Sequence, residues 1–338
     1  MVTGKGQDEM KDLKDKFKRA GGAQILRQYL QSHVLGYALM QAALQGTSQK
    51  SLEIVRLSVN NKMLGKLRKK NRAYIEEYLE KERAETGKAK REQVRAKKIW
   101  MLWLDGEDNA PEIVQKCIAS VRNAFPDRTV HVLTEDTYRE YAKFPAFIQE
   151  KIDSGVISKT HMSDLLRLEL LIRYGGTWLD STVFCTSSNV PSYMTDCDLF
   201  LFQDLKPGLD GHCQRISNWM ISACTNHPML RLTRALLYEY WRKNNEVEDY
   251  FIFHDFFEMA IDAYPEEWSK VVPCSNAAPH ILLLRLFEPY SDEVWEAVKA
   301  MTPFHKLTYK FEAEKTQIPG TYYKVLLEGA AGKGKDAF

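Results

Sequence analysis

Residues 163–183 read SDLLRLELLIRYGGTWLDSTV, an amphipathic segment that stops at a double glycine and is followed by a short apolar run ending in aspartate. Asp164, Arg167 and Leu171 share one helical face by the i, i+3, i+7 rule, whereas Leu165, Leu168 and Ile172 form a second, wholly apolar stripe suited to burial. Ser163 is the expected cap of this helix, and Glu169 stands four residues before Arg173, the favourable order for an exposed ion pair. Gly175 and Gly176 end the helix, because a left-handed residue is easiest without a Cβ. Residues 177–179 then form a strand that delivers Asp180 to its carboxyl end, the edge at which open α/β sheets bind ligands.

Upstream, residues 99–104 (IWMLWL) are a continuous apolar run of strand length bounded by lysines and Asp105-Gly106, as expected of a strand buried on both faces. Pro111 opens a helix whose packing stripe is Ile113, Cys117, Ile118, Val121 and Phe125, and residues 129–134 (TVHVLT) return as a second strand. A right-handed crossover lays the two strands parallel and leaves the loop after Leu104 at the ligand-binding edge. Short helices are predicted at 134–142 and 145–152, and strands at 199–203 and 218–223. Further helices are predicted at 228–241, 247–264 and 292–301, the last preceding the segment TPFHKLTYK at 302–310.

The 338 residues, 44% of them apolar, suffice for one large α/β domain, or for one domain with an appendage. Total charge is near neutral, but residues 1–98 carry 23 Lys and Arg against 11 Asp and Glu, which leaves 24 against 34 in the remainder. This basic arm is either a set of solvated helix faces or a surface for anionic lipid or a phosphorylated carrier; nucleic acid is not expected, since no zinc-finger, RRM or KH pattern accompanies the charge. Residues 22–45 read as one amphipathic helix with Leu26, Leu30, Val34, Tyr37 and Leu44 on its apolar face, too often interrupted by polar residues to span a bilayer. Residues 51–85 read as one or two further helices, and 87–98 as a basic connector. Six cysteines occur without a C-x-x-C pair, and no apolar secretory leader follows Met1, so reduced thiols and a cytoplasmic location are expected.

The order SD-x-x-R, GG, then Asp180 resembles the signature of retaining glycosyltransferases with a GT-A fold, specifically the capsular polysaccharide synthesis branch related to glycosyltransferase family 32. The resemblance covers most of the chain from about Ser51 and implies an α/β, Rossmann-like fold with a mostly parallel central sheet over residues 96–325. A basic helical extension at 1–95 precedes it and a flexible tail at 326–338 follows. It also implies transfer from a nucleotide sugar, of the UDP type, to a capsular or cell-surface glycan or lipid-linked oligosaccharide, with peripheral contact at the inner membrane face. Front-face attack, with the leaving phosphate accepting the proton, needs no dedicated enzymic base.

Such chemistry requires a cradle for base and ribose, a counter-charge for the diphosphate and a slot for the acceptor. Trp103, Asp105 and Gly106 are placed for the base, Trp103 being equally suited to core packing; Asp164, Arg167, Gly175 and Gly176 are assigned to the nucleotide sugar, with Asp180 at their centre. The wider family usually begins an Asp-x-Asp motif at the position of Asp180, but here the third residue is Thr182, and such Asp-Ser-Thr or Asp-Ala-Thr variants also resemble the capsular branch. Asp180, Thr182 and His305 are therefore the expected ligands of a divalent cation, Mn²⁺ or Mg²⁺, which takes its remaining ligands from phosphate and water. Lys306 and Lys310 are expected over the diphosphate. Asn218 is a donor or acceptor contact or a buried loop tie, and Asp249, His254 and Asp255 are further polar groups in an aromatic setting that are candidates for sugar contact and catalysis.

Rival chemistries lack their motifs. The turn after Leu104, DGEDNAP, has no G-x-G-x-x-G cradle for a dinucleotide, and neither a P-loop nor an H-E-x-x-H pair occurs. The remaining alternative is a catalytically silent glycosyltransferase-like scaffold, with Thr182 marking lost activity and the basic arm an assembly surface.

Overall fold

The computed structural model describes residues 22–46, 48–86, 92–204 and 213–328. Three helices lead, α1 (Gly22–Gln31), α2 (Leu35–Gln45) and the long α3 (Gln49–Thr86). The body follows as β1 (Lys98–Leu102), α4 (Glu112–Ala124), β2 (Thr129–Leu133), α5 (Lys159–Tyr174), β3 (Gly176–Leu179), β4 (Val183–Cys185), β5 (Leu199–Gln203) and β6 (Ile216–Ala223). It closes with α6 (Pro228–Lys243), α7 (Ile252–Ala263), α8 (Asp292–Met301), β7 (Phe304–Lys306) and α9 (Tyr322–Glu328), with short helical turns between.

The central sheet has the order β2-β1-β3-β6-β5. β1 pairs in parallel with β2 and β3, whereas β6 is antiparallel to both β3 and β5, so four strands run one way and β6 runs against them. Along β1 the pleat sends Trp100 to one face and Ile99 and Met101 to the other, and each face has its own core. Trp100 and Trp178 of β3 meet α5, α6 and α7 on the first face; Ile99, Met101 and Leu179 meet α4, β4, β7 and α9 on the second. A two-stranded β4-β7 sheet thus closes the second face beside the end of β3.

Helix α5 carries the expected apolar stripe, with Leu165, Leu168 and Ile172 buried. Its start differs from expectation. Ser158, not Ser163, is the cap, its side chain accepting the amide of His161, and Ser163 lies inside the helix with its hydroxyl donating to Thr160 O at 2.9 Å. Glu169 does not pair with Arg173: that side of α5 faces α6, where Arg234 and Tyr238 both reach the Glu169 carboxylate.

The expected single helix over 22–45 is broken at His33, which takes φ 51°. The break turns Val34 and Ala38 against Val55, Val59 and Met63 of α3, and leaves Leu26, Leu30 and Leu44 of the expected apolar face exposed. Further along α3, Leu64 and Leu67 enter the core that contains Trp100 and Trp178, so the helical arm packs on the body. Among the described residues no helix is long and apolar enough to cross a membrane. Cys117, Cys185, Cys197, Cys224 and Cys274 are free thiols.

The double glycine works at the amino end of β3. Gly176 has φ +97°, and a Cβ there would lie 2.4 Å from the carbonyl oxygen of Lys98, at the start of β1. Trp100 Nε1, two residues further along β1, donates to Gly175 O at 3.0 Å and ties the same strand crossing. Gly176→Ala is therefore expected to lower the unfolding free energy by roughly 2–4 kcal/mol, through backbone strain and overpacking together. Gly155→Ala, at φ +75° with nothing within 4 Å of the added carbon, is expected to cost only about 1 kcal/mol. Urea denaturation of both variants checks the difference; equal costs would contradict the close approach.

Candidate active site

The carboxyl ends of β1 and β3 open onto a cavity of about 560 Å³. Its walls are the chain leaving β1 at Trp103 and Asp105, the first turns of α5, the stretch Asp180 to Thr182, the first half of β6 at Ser217 to Trp219, the stretch Tyr250 to His254, and Lys306 with Tyr309 beyond β7. Because α5 begins at this wall, its unpaired amide groups and the positive end of its dipole lie on the cavity side.

Asp180 stands at the centre of this wall. Its amide donates to Trp219 O at 2.8 Å, extending the β3-β6 ladder by one residue and fixing the position of the side chain. Oδ1 accepts the Trp178 indole N–H at 3.1 Å and lies 3.8 Å from Arg167 Nη2, and Oδ2 lies 3.2 Å from Lys306 Nζ. Burial alone would raise its pKa, but Lys306, Arg167 and the hydrogen bonds from Trp178 and Lys306 hold the carboxyl below its ordinary value. The side chain remains 28% exposed, so an ionised oxygen pair faces the cavity.

Arg167 is a buried clamp behind Asp180. Its guanidinium donates to Ser163 O, Ser163 Oγ and Asn218 O, lies 3.3 Å from Asp164 Oδ1 and stacks 5.0 Å over the Trp178 ring. Asn218 in turn donates to Asp164 Oδ1 at 2.9 Å. Burial raises the Asp164 pKa even though Arg167 opposes it, so Asp164 is the less acidic carboxyl of the pair. The spacing that placed Asp164 and Arg167 on one face is realised, and both border the cavity with Asn218.

The expected cation ligands do not converge. Thr182 Oγ1 accepts a hydrogen bond from Lys306 Nζ at 2.5 Å. His305 is fully buried, with Nε2 3.1 Å from Thr186 Oγ1, because adjacent residues of β7 point to opposite sides and Lys306 takes the cavity side. Asp180, Thr182 and His305 thus do not fit a divalent cation as a set. Among the described residues no group of three or more His, Cys, Asp and Glu is arranged to hold a metal ion.

Other expected residues divide. Trp103 lines the cavity edge-on to Tyr309, with ring centres 5.2 Å apart, and its buried indole N–H has no partner. Asp105 also lines the cavity; Gly106, at φ +83°, shapes the turn behind it and does not. Neither Gly175 nor Gly176 borders the cavity, since both lie at the opposite end of β3. Lys310 does not line the cavity; its Nζ lies 5.6 Å from the centroid of the Tyr309 ring. Asp249 and Asp255 are buried behind the wall, bonded to the Phe251 amide and to Gln214, and burial with their mutual repulsion drives the pKa of Asp255 far upward. His254 alone of that trio lines the cavity.

Lys159, Tyr250, Phe251, Tyr309 and Trp219 also line the wall and were missed from the sequence. Tyr309 lay in the quoted segment 302–310, and Tyr250 and Phe251 lay in the aromatic cluster around His254.

The profile of the capsular polysaccharide synthesis protein family matches residues 47–326. The chain belongs to this family. Two curated proteins are similar over about a quarter of the chain. They are O-glycosyltransferase braB of Annulohypoxylon truncatum, 35% identical over 97 residues, and O-glycosyltransferase PaGT of Phomopsis amygdali, 32% identical over 93 residues. The aligned part spans 26% and 25% of this chain and 23% of each relative's length. Among solved structures, PaToxG Glycosyltransferase aligns over 70% of this chain and 88% of its own, with TM-score 0.35 and 16% identity.

In this capsular-synthesis-family protein, burial holds three imidazoles neutral. Burial, assisted at His254 by the charge of Arg167, pushes His254 down to about 3, and burial pushes His227 and His305 down to about 4. The unfolded chain takes up these protons near the ordinary histidine value of about 6.5, whereas the folded chain does not. Unfolding therefore binds protons between those limits, and stability is full above about pH 6.5 and is lost as pH falls toward 4. Denaturation midpoints at pH 7.5, 6 and 5 are expected to decrease in that order, with imidazole ¹⁵N resonances of His254 remaining in the neutral range down to pH 5. A His254 titration near pH 6.5 would contradict the burial.

Proposed function

We propose that the protein is a glycosyltransferase that moves a sugar from a nucleotide sugar, of the UDP type, to a hydroxyl of a glycan acceptor with retention of configuration. The observation that carries this reading is Asp180, ionised at the carboxyl end of a central strand, facing a cavity of about 560 Å³ with Lys306 and Arg167 at its oxygens. A cavity of that size with convergent polar groups suits a small-molecule donor. The aromatic edge formed by Trp103 and Tyr309 offers apolar surface to a flat base. Membership of a capsular polysaccharide synthesis family favours a glycan acceptor, and similarity to two O-glycosyltransferases favours hydroxyl attack.

The intact cluster argues against the silent-scaffold reading. Asp180, Arg167, Asp164, Asn218 and Lys306 form one continuous charged network exposed to a cavity, which a surface serving only assembly has no need to maintain. Incubation with a panel of UDP- and GDP-sugars is expected to release nucleotide from at least one donor. Asp180→Asn is expected to lower that rate by about 100-fold or more, by analogy with the loss of a preorganised electrostatic contact, with the thermal midpoint unchanged within a few degrees. Equal release by the variant would remove Asp180 from the mechanism.

A further inference from the structure

On the reading just proposed, the chain leaving β3 is Asp180-Ser181-Thr182, at the position where the wider family usually has Asp-x-Asp, and the group lying between the Asp180 and Thr182 side chains is a lysine. We propose that the Lys306 ammonium stands in the place of the divalent cation, so that it supplies the counter-charge to the donor's diphosphate without a metal.

Asp180 and Thr182 both contact Lys306. Nζ lies 3.2 Å from Asp180 Oδ2 and 2.5 Å from Thr182 Oγ1. An ammonium has three N–H donors, so with two so engaged one remains, and the side chain is 20% exposed and lines the cavity. The placement is fixed by backbone. Val183 of β4 is in register with Lys306 of β7, and the next residue, Leu307, donates its amide to Thr182 O at 2.9 Å. The same register buries His305 on the opposite side, which removes the histidine that would complete a metal shell. Charge balance is preserved: two aspartates with a dication and one aspartate with a threonine and a lysine are both neutral sets.

During transfer, the bond from the anomeric carbon to the β-phosphate oxygen breaks with its electron pair remaining on that oxygen. The acceptor hydroxyl oxygen forms the new bond to the carbon, and its proton passes to the departing diphosphate. Negative charge therefore grows on the phosphate as the old bond stretches, and a fixed cation beside it stabilises the transition state more than the ground state. Arg167 is less suited to this role because its guanidinium is buried and already engaged by Ser163, Asp164 and Asn218.

The test uses the full chain and two buffers, one with EDTA and one with Mn²⁺. Wild-type protein is expected to bind UDP or GDP, by calorimetry, and to release nucleotide from its donor within about twofold in the two buffers. Lys306→Met is expected to weaken nucleoside diphosphate binding by about 10- to 100-fold, the range for losing one charged hydrogen bond, with uridine or guanosine binding unchanged. Lys306→Arg keeps the charge and is expected to recover most of the affinity while remaining indifferent to EDTA. Loss of wild-type binding or turnover in EDTA with rescue by Mn²⁺ overturns the lysine assignment alone, as does wild-type diphosphate affinity in a folded Lys306→Met. Absence of nucleotide release from every donor in both buffers overturns the transferase reading, and the lysine assignment with it.

Discussion

The ion pair between Asp180 and Lys306 is the constraint on which the site depends. It joins the end of the central sheet to the small β4-β7 sheet, and it brings together residues separated by more than a hundred positions. Neither partner reaches the other by side-chain flexibility alone. Asp180 is held by the backbone bond to Trp219, and Lys306 by the register of β7 on β4. A cation close to a partly exposed carboxylate is worth little when both are free to move in water, but much more when the geometry is imposed beforehand.

Behind this pair lies a second, drier layer. Arg167 carries charge at 4% exposure and is tolerable there because Asp164 lies beside it as a counter-charge and Ser163 and Asn218 accept three of its N–H groups. That layer converts the helical spacing of Asp164 and Arg167 into a rigid backing for Asp180. The α5 stripe of Leu165, Leu168 and Ile172 seats the helix on the sheet, and the tight crossing of Gly176 under Lys98 sets where β3 runs. The glycines therefore affect chemistry through position and have no contact with the cavity.

Local patterns were legible where one element explained itself. The apolar run at 99–104, the β1-α4-β2 unit, the stripe of α5 and the arrival of Asp180 at a strand end all follow from periodicity and turn chemistry over a few residues. Two features were not legible because they depend on distant partners. Glu169 chose Arg234 and Tyr238 across a helix interface in preference to its neighbour Arg173, and β6 runs antiparallel, a direction that an eight-residue apolar strand does not encode. His305 and Lys306 illustrate the same limit at finer scale. Both were visible as basic residues near the C-terminus, but which of them faces the cavity is decided by strand register, where a slip of one residue exchanges the two.

The central claim is that Lys306, held by Asp180 and Thr182, is the seat of the donor's diphosphate. A crystal structure of the protein with UDP or GDP, grown in EDTA, tests it most directly. The account predicts a β-phosphate oxygen within about 3.2 Å of Lys306 Nζ, with the Asp180 contact retained. A diphosphate bound outside this cavity, or one that reaches Asp180 with Lys306 swung away, would contradict it.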